Sequence, residues 1–230
     1  MVFKSLSIRS TTDFVCRPKM VRSRNLKLTV VGDKGVGKTS LLKTYAKGSF
    51  PGGEYVSTVF PFLPDEEYVY SRSIDYSGQP VLLAMWDRVY FNQKEDDDIR
   101  AVQFYQTDVF LLCFSVIDQR SFSNILQIWK PEILKHCPKS KCLLVGLKKD
   151  LRCAKNKSDP SQSVITRSMG RDMAERIGAV DYMECSAKTK DGIKQVYAVA
   201  IQSAMGNPPH KQKKLVKCGG CRLYRLARLL

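Results

Sequence analysis

From residue 26 onward the chain alternates short runs of aliphatic and β-branched residues with longer stretches in which apolar residues recur every three or four positions. The runs at 26–31, 81–86, 108–116, 141–146 and 181–185 predict strands, and the stretches at 38–46, 97–105, 121–136, 169–177 and 193–204 predict helices. Strands alternating with amphipathic helices predict an α/β fold, a mostly parallel sheet with helices on both faces, because a parallel strand pair needs a crossover to return the chain. The longest nearly uninterrupted apolar stretch, 109–117, is interrupted by Ser115 and is less than half the roughly twenty residues of a membrane-crossing helix. No transmembrane segment is expected. The segment 156–163, rich in Ser, Lys and Asp and containing Pro160, reads as a loop, and there is no internal repeat.

Composition and charge refine this picture. With 230 residues, 43% hydrophobic and 26% charged, the chain suits one globular domain and is too apolar to be disordered throughout. Its eight cysteines are scattered without a regular framework, which fits reduced thiols better than a secreted disulfide framework. No secretory segment precedes them. The net charge of +16 is concentrated at the ends: residues 1–25 carry six basic residues against Asp13, and residues 207–230 carry seven against no acid. A near-balanced domain at 26–206 between a basic disordered arm and a polybasic tail is expected, the arms seeking an anionic membrane surface. Nucleic acid is not an expected partner.

The most specific chemical signal is Gly32-Asp-Lys-Gly-Val-Gly37-Lys38-Thr39, a complete G-x-x-x-x-G-K-[ST] between a predicted strand and a predicted helix. Glycines let the backbone curl so that N–H groups face a phosphate, Lys38 supplies a cation, and the Thr39 hydroxyl reaches a magnesium ion. Gly32, Gly35, Val36, Gly37, Lys38, Thr39 and Ser40 are the candidate phosphate-binding residues. A glycine-rich turn without a ligand is the bland alternative.

Further segments narrow the reading. Phe50-Pro-Gly-Gly-Glu-Tyr55-Val-Ser-Thr58-Val-Phe60, Leu83-Ala-Met-Trp86-Asp87, Val145-Gly-Leu-Lys148-Lys-Asp150-Leu-Arg152 and Tyr182-Met-Glu-Cys-Ser186-Ala187-Lys188-Thr189-Lys-Asp-Gly192 resemble, in order, the motifs of Ras-superfamily small GTPases, and within them the Rho family. The resemblance implies a P-loop G-domain with a six-stranded, mostly parallel sheet, and GTP or GDP with Mg2+ at the C-terminal strand ends. Carried over, Asp150 accepts from guanine N1–H and the exocyclic amine. A buried acceptor left unpaired by adenine discriminates by roughly 10⁴ to 10⁵. Lys148 packs its stem on the base, Phe50 stacks on the other flank, the Ala187 backbone donates to the guanine carbonyl, and Ser186 and Lys188 hold that loop. Thr39, Thr58 and Asp87 are the implied magnesium ligands. Effector proteins are implied at two surfaces, Phe50 to Phe60 and Asp87 to Arg100. Taken singly, Asp150 reads as a helix cap, Lys148 as a solvated lysine and Phe50 as core.

Four departures from the family bear on chemistry. Lys34 stands where working members carry a glycine close to the γ-phosphate and the water-orienting glutamine. Its side chain obstructs that glutamine and an incoming arginine finger, the latter worth about 10³ to 10⁵ in rate, so hydrolysis is expected to be slow; Lys34 as a cation for the phosphates is the alternative. After Asp87 the family's Asp-x-x-Gly-Gln turn gives way to Arg88-Val-Tyr90-Phe-Asn92-Gln93-Lys94-Glu95. With two inserted residues, Gln93 aligns with the catalytic glutamine and Asn92 with the glycine that clamps the switch to γ-phosphate. Leu147 replaces the Asn or Thr whose hydrogen bonds tie the base loop to the phosphate loop, each worth about 1 kcal/mol net, and weaker nucleotide affinity follows. Finally, insertions before Tyr55 and between Phe60 and Ile74 remodel the effector-facing surface around Thr58. With a shortened insert at 153–169, these features suggest an atypical or divergent member.

The last four residues, Ala227-Arg-Leu-Leu230, lack the family's prenylated cysteine. Cys218 and Cys221 lie beside Lys213, Lys214 and Lys217, and palmitate plus a polybasic patch makes a two-signal anchor; an exposed pair of reduced thiols is the alternative. Leu223, Leu226, Ala227 and Leu230 fall on one helical side and Arg222, Arg225 and Arg228 towards the other, as in an interfacial helix. The expected location is cytoplasmic, peripheral on the inner face of the plasma membrane or endomembranes. The leading functional reading is a hydrolysis-impaired, largely GTP-bound switch that recruits effectors at membranes, in actin and cell-shape signalling by the family's habit. Two others stay open on sequence alone: a pseudo-GTPase interaction module with weak or no nucleotide binding, and a cycling GTPase that uses Gln93.

Overall fold

A computed structural model describes residues 23–52, 69–87, 97–152 and 164–206. The expectations placed on Thr58, Gln93, Cys218 and Cys221, and most of what was expected of the two arms, fall outside those residues. Six strands, β1 (Arg24–Val31), β2 (Val69–Tyr76), β3 (Gln79–Asp87), β4 (Val109–Ser115), β5 (Lys141–Leu147) and β6 (Tyr182–Glu184), form one sheet in the order β2-β3-β1-β4-β5-β6. Every neighbouring pair is parallel except β2 and β3. The described helices are α1 (Lys38–Lys47), α2 (Asp97–Phe104), α3 (Gln119–Asn124), α4 (Lys130–His136), α5 (Arg167–Arg176) and α6 (Ile193–Ala204), with a π turn at Ile125–Trp129 joining α3 to α4.

The doubly covered sheet follows from the side-chain period of two. Along β4, Val109, Leu111 and Cys113 point into one core with Leu41 and Leu42 of α1 and Val196, Tyr197 and Ile201 of α6. Phe110, Leu112 and Phe114 point into the other, with Phe104, Phe122, Ile125, Trp129, Ile133 and Ile177. A strand buried on both faces reads as an unbroken apolar run, which is why β4 was visible in the sequence. No described helix is long and apolar enough to cross a membrane.

Two features escape the pattern. The edge strand β2 buries only Tyr70, so its sequence carries little alternation. It is held in the sheet by the turn to β3, where Ser77 and Gly78 have φ of 52° and 78°, the two left-handed residues of a type I′ hairpin, and Asp75 Oδ1 accepts from the Gly78 N–H at 2.9 Å. The expected single helix at 121–136 is continuous but not uniformly α. Pro131 has no N–H to give the carbonyl of Gln127, and the chain widens just before it, with the Lys130 N–H donating to the Ile125 carbonyl in an i to i+5 bond.

Candidate functional site

Strand order reverses at β1, which lies between β3 and β4, so a crevice opens at the C-terminal strand ends where α/β sheets take ligands. The loop 32–37 leaves β1 there. Gly32 has φ of 144°, and a Cβ on it would stand 2.0 Å from the Cys113 carbonyl oxygen, so only glycine lets the loop run against β4. Val36 is buried and anchors the loop in the core. Lys38, 7% exposed, donates from Nζ to the carbonyls of Gly32 at 2.9 Å and Asp33 at 2.8 Å, spanning the loop it serves. At the start of α1, Gly37 adds no side-chain cap, which leaves the first-turn N–H groups to an anion. Ser40 is half-buried in that first turn.

The Thr39 hydroxyl donates to Asp87 Oδ2 at 2.5 Å, and Asp87 is 5% exposed. A hydroxyl and a carboxylate brought together at the mouth of the loop are the hard oxygen donors that magnesium takes when nucleotide phosphates and water complete its shell. These two residues fit the ion. Among the described residues no cluster of three or more His, Cys, Asp or Glu side chains could hold a metal by itself. Lys34 and Gly35 are exposed at the tip of the loop.

The base loops follow β5 and β6. Leu147 is buried at 2% exposure, and its Cδ1 lies 3.8 Å from the Cβ position of Gly37. It packs against the phosphate loop instead of bonding to it. The polar tie comes from the next residue: Lys148, at φ of 59°, donates from Nζ to the Gly35 carbonyl at 2.6 Å. Burial lowers the Lys148 ammonium below its ordinary pKa, while Asp118 and Asp150 act to keep it charged. Asp150 is half-buried, as the residue that would face the base. Phe50 is 40% exposed at the end of α1, which removes the reading of it as core and leaves its ring available to stack.

The two base loops are braced to each other by residues the sequence did not single out for this role. Arg152 reaches Glu184 with two bonds, 2.8 and 2.6 Å, and Arg167 and the Tyr182 hydroxyl complete the same carboxylate at 3.1 and 2.7 Å. Burial alone would push the Glu184 carboxyl up, but the hydrogen bonds from Arg152 and Tyr182 outweigh it and hold the group below the usual carboxylate range. Lys149 pairs with Asp191 at 2.5 Å. Ser186, fully buried, donates its N–H to the Asp191 carbonyl at 2.9 Å and accepts from the Thr189 N–H at 3.1 Å. This leaves Ala187 half-buried and Lys188 exposed on the loop. Sequence order hints at the brace only through the adjacency of Glu184 and Arg152 to the two base motifs. Asp33 also gains partners that were not foreseen, Asn124 and Trp129.

The four described cysteines, Cys113, Cys137, Cys142 and Cys185, are free, and burial pushes the Cys185 thiol up to about 12, far from a reactive thiolate.

The expected phosphate-loop, magnesium-facing and base-loop residues that are described thus meet at one end of the sheet. The family model described as the Ras family matches residues 27–206 of the 230, and the chain belongs to that family of small GTP-binding switch proteins.

Proposed function

We propose that the chain is a divergent, Rho-like switch that binds GTP with magnesium, hydrolyses it slowly, rests largely in the GTP-bound form and recruits effectors at a membrane. The observation that carries this reading is the contrast within one loop. Lys38 and the Thr39–Asp87 pair are in place, whereas Lys34 at the tip presents a long, exposed side chain where a hydrolytic member needs open space. Binding machinery is kept and the approach of a water-orienting group is obstructed. The phosphate-binding set is Gly32, Gly35, Val36, Gly37, Lys38, Thr39 and Ser40; Phe50, Lys148, Asp150, Ser186, Ala187 and Lys188 take the base; Thr58 joins Thr39 and Asp87 on the metal. The domain at 26–206 carries the switch, and the polybasic tail at 207–230, with Cys218 and Cys221 as acylation candidates, carries the anchor.

Leu147 favours the competing reading of an interaction module without nucleotide, since its buried side chain makes no hydrogen bond to the phosphate loop. The Lys148 bond to Gly35 weighs against it, because it supplies a tie of the kind the missing Asn or Thr would have made. The deciding experiment is to purify the full chain without added nucleotide, denature it and identify what it carried by chromatography. Bound GTP is the expected result, with Lys34→Gly converting it to GDP. GDP in the wild type would show that hydrolysis survives Lys34, by way of Gln93 or otherwise. A protein that is empty and fails to take up added GTP would make the fold an interaction module.

A further inference from the structure

Asp33 is the acidic residue of the phosphate loop, and its carboxylate would repel the anion that the loop exists to wrap. The structure turns it away. Oδ2 accepts from Asn124 Nδ2 at 2.6 Å and Oδ1 from the Trp129 indole N–H at 2.7 Å. Both donors are neutral, and both come from the helix beyond β4, with Trp129 seated in the second core at 4% exposure.

The π turn explains how two residues five apart reach one carboxylate. In a regular α-helix they would stand about 140° apart around the axis. In the wider turn, marked by the bond from the Lys130 N–H to the Ile125 carbonyl, residues five apart come nearly into line. Asp33 is therefore held twice: its side chain by the helix, and its carbonyl oxygen by Lys38 Nζ at 2.8 Å. A rearrangement of the loop that moved Asp33 would have to break the bonds at both ends of the residue. Bonds to an ionised acceptor are the strong ones.

We infer that Asn124 and Trp129, acting through Asp33, are positioning residues that lock the phosphate loop in its anion-wrapping form and so slow nucleotide release. This rests on the reading of the site as a guanine-nucleotide site.

The test measures release of N-methylanthraniloyl-GDP from the full chain, in magnesium, after mixing with excess unlabelled GDP. Asn124→Leu keeps the branched shape and removes the donor; Trp129→Phe keeps an aromatic ring and removes the N–H; Asp33→Asn removes the charge from a half-exposed loop position and does not depend on how the helix tolerates change. Each should speed release by about tenfold, from the worth of one charge-assisted bond, with association little altered. Because the three form one unit, the double variant Asn124→Leu with Asp33→Asn should be no faster than about the faster single.

Ile133→Val, buried in the same helix away from the loop, is the control for loss of stability alone: it should lower the melting temperature and leave release unchanged. Wild-type release rates in the three variants, or equal acceleration by Ile133→Val, would overturn the clamp. A wild-type chain that takes up no labelled GDP would overturn the nucleotide reading itself, and the clamp's role in release with it.

Discussion

Tyr197 shows how a single atom can oppose its own residue. The ring is fully buried and stacks on Tyr45 with centroids 3.5 Å apart and planes 11° from parallel, while its hydroxyl has no hydrogen-bond partner among the described residues. A buried, unpaired hydroxyl forfeits its hydration without return, at about 1 to 3 kcal/mol. Tyr197→Phe keeps the stack and removes the cost, so it is expected to stabilise the domain by about 1 kcal/mol. A thermal melt of the purified variants checks this, with a rise of about 2 to 4 °C expected for a domain of this size; a lower melting temperature would mean that the hydroxyl finds a partner in solution. Lys34 is the opposite case, a residue whose exposure suits the proposed role and whose effect falls on rate instead of stability.

At the scale of elements, the brace between the loops after β5 and β6 is where stability and site geometry meet. The Glu184 side chain is 4% exposed and that of Arg152 20%, so removing the guanidinium takes two of the four hydrogen bonds from a buried carboxylate and leaves it to Arg167 and Tyr182. Arg152→Ala should cost about 2 kcal/mol, the worth of hydrogen bonds to a charged group, read by urea unfolding, and should loosen guanine binding more than phosphate binding. Acid adds an independent check. The folded Glu184 carboxyl lies below its ordinary 4.5, so the unfolded chain binds the extra proton first as pH falls. The contribution is complete above about pH 4.5 and is lost as pH drops through the lowered folded value. In Glu184→Gln that part of the acid slope should vanish; an unchanged slope would place the acid sensitivity elsewhere. This brace was not legible in the sequence because it joins residues 32 apart through side chains that look like ordinary surface charges. What was legible were elements defined by burial on both faces: β4 and β5 as unbroken apolar runs, and α6 from its apolar spacing. The strand β2, with one buried side chain, carries too little alternation to be read, and the π turn before Pro131 departs from the regular helix that the apolar spacing alone predicts. The phosphate loop was readable because the residues that answer its demands fall within one eight-residue motif, glycine at Gly32, Lys38 to span the loop and Thr39 to meet Asp87, although β4 and Asp87 lie far along the chain.

For the molecule as a whole, the proposed anchor turns on where the +16 net charge sits. Lys211, Lys213, Lys214, Lys217, Arg222, Arg225 and Arg228 follow the domain with no acid among them, and each basic residue near an anionic leaflet is worth about 1 kcal/mol at moderate salt. That attraction decays within a Debye length, which shrinks from about 10 Å at 0.1 M salt to about 3 Å at 1 M. An acyl chain is indifferent to salt but holds only marginally by itself. The two contributions are therefore separable in one vesicle-sedimentation experiment on the full chain made in cells able to acylate it. On phosphatidylserine vesicles at 0.1 M salt, wild type and the Cys218→Ser, Cys221→Ser double variant should both sediment. At 1 M salt the double variant should be released almost completely, and the wild type should retain a weaker, salt-independent fraction. Equal retention by both at high salt would remove palmitate from the mechanism, and equal binding to neutral vesicles at low salt would remove the basic patch. If both contributions are present, the basic patch holds the chain at 0.1 M salt and the acyl chain holds the fraction that stays at 1 M. Membrane residence would then be set by acylation state and surface charge, and, under the slow hydrolysis proposed above, these would offer a reversible control that hydrolysis does not.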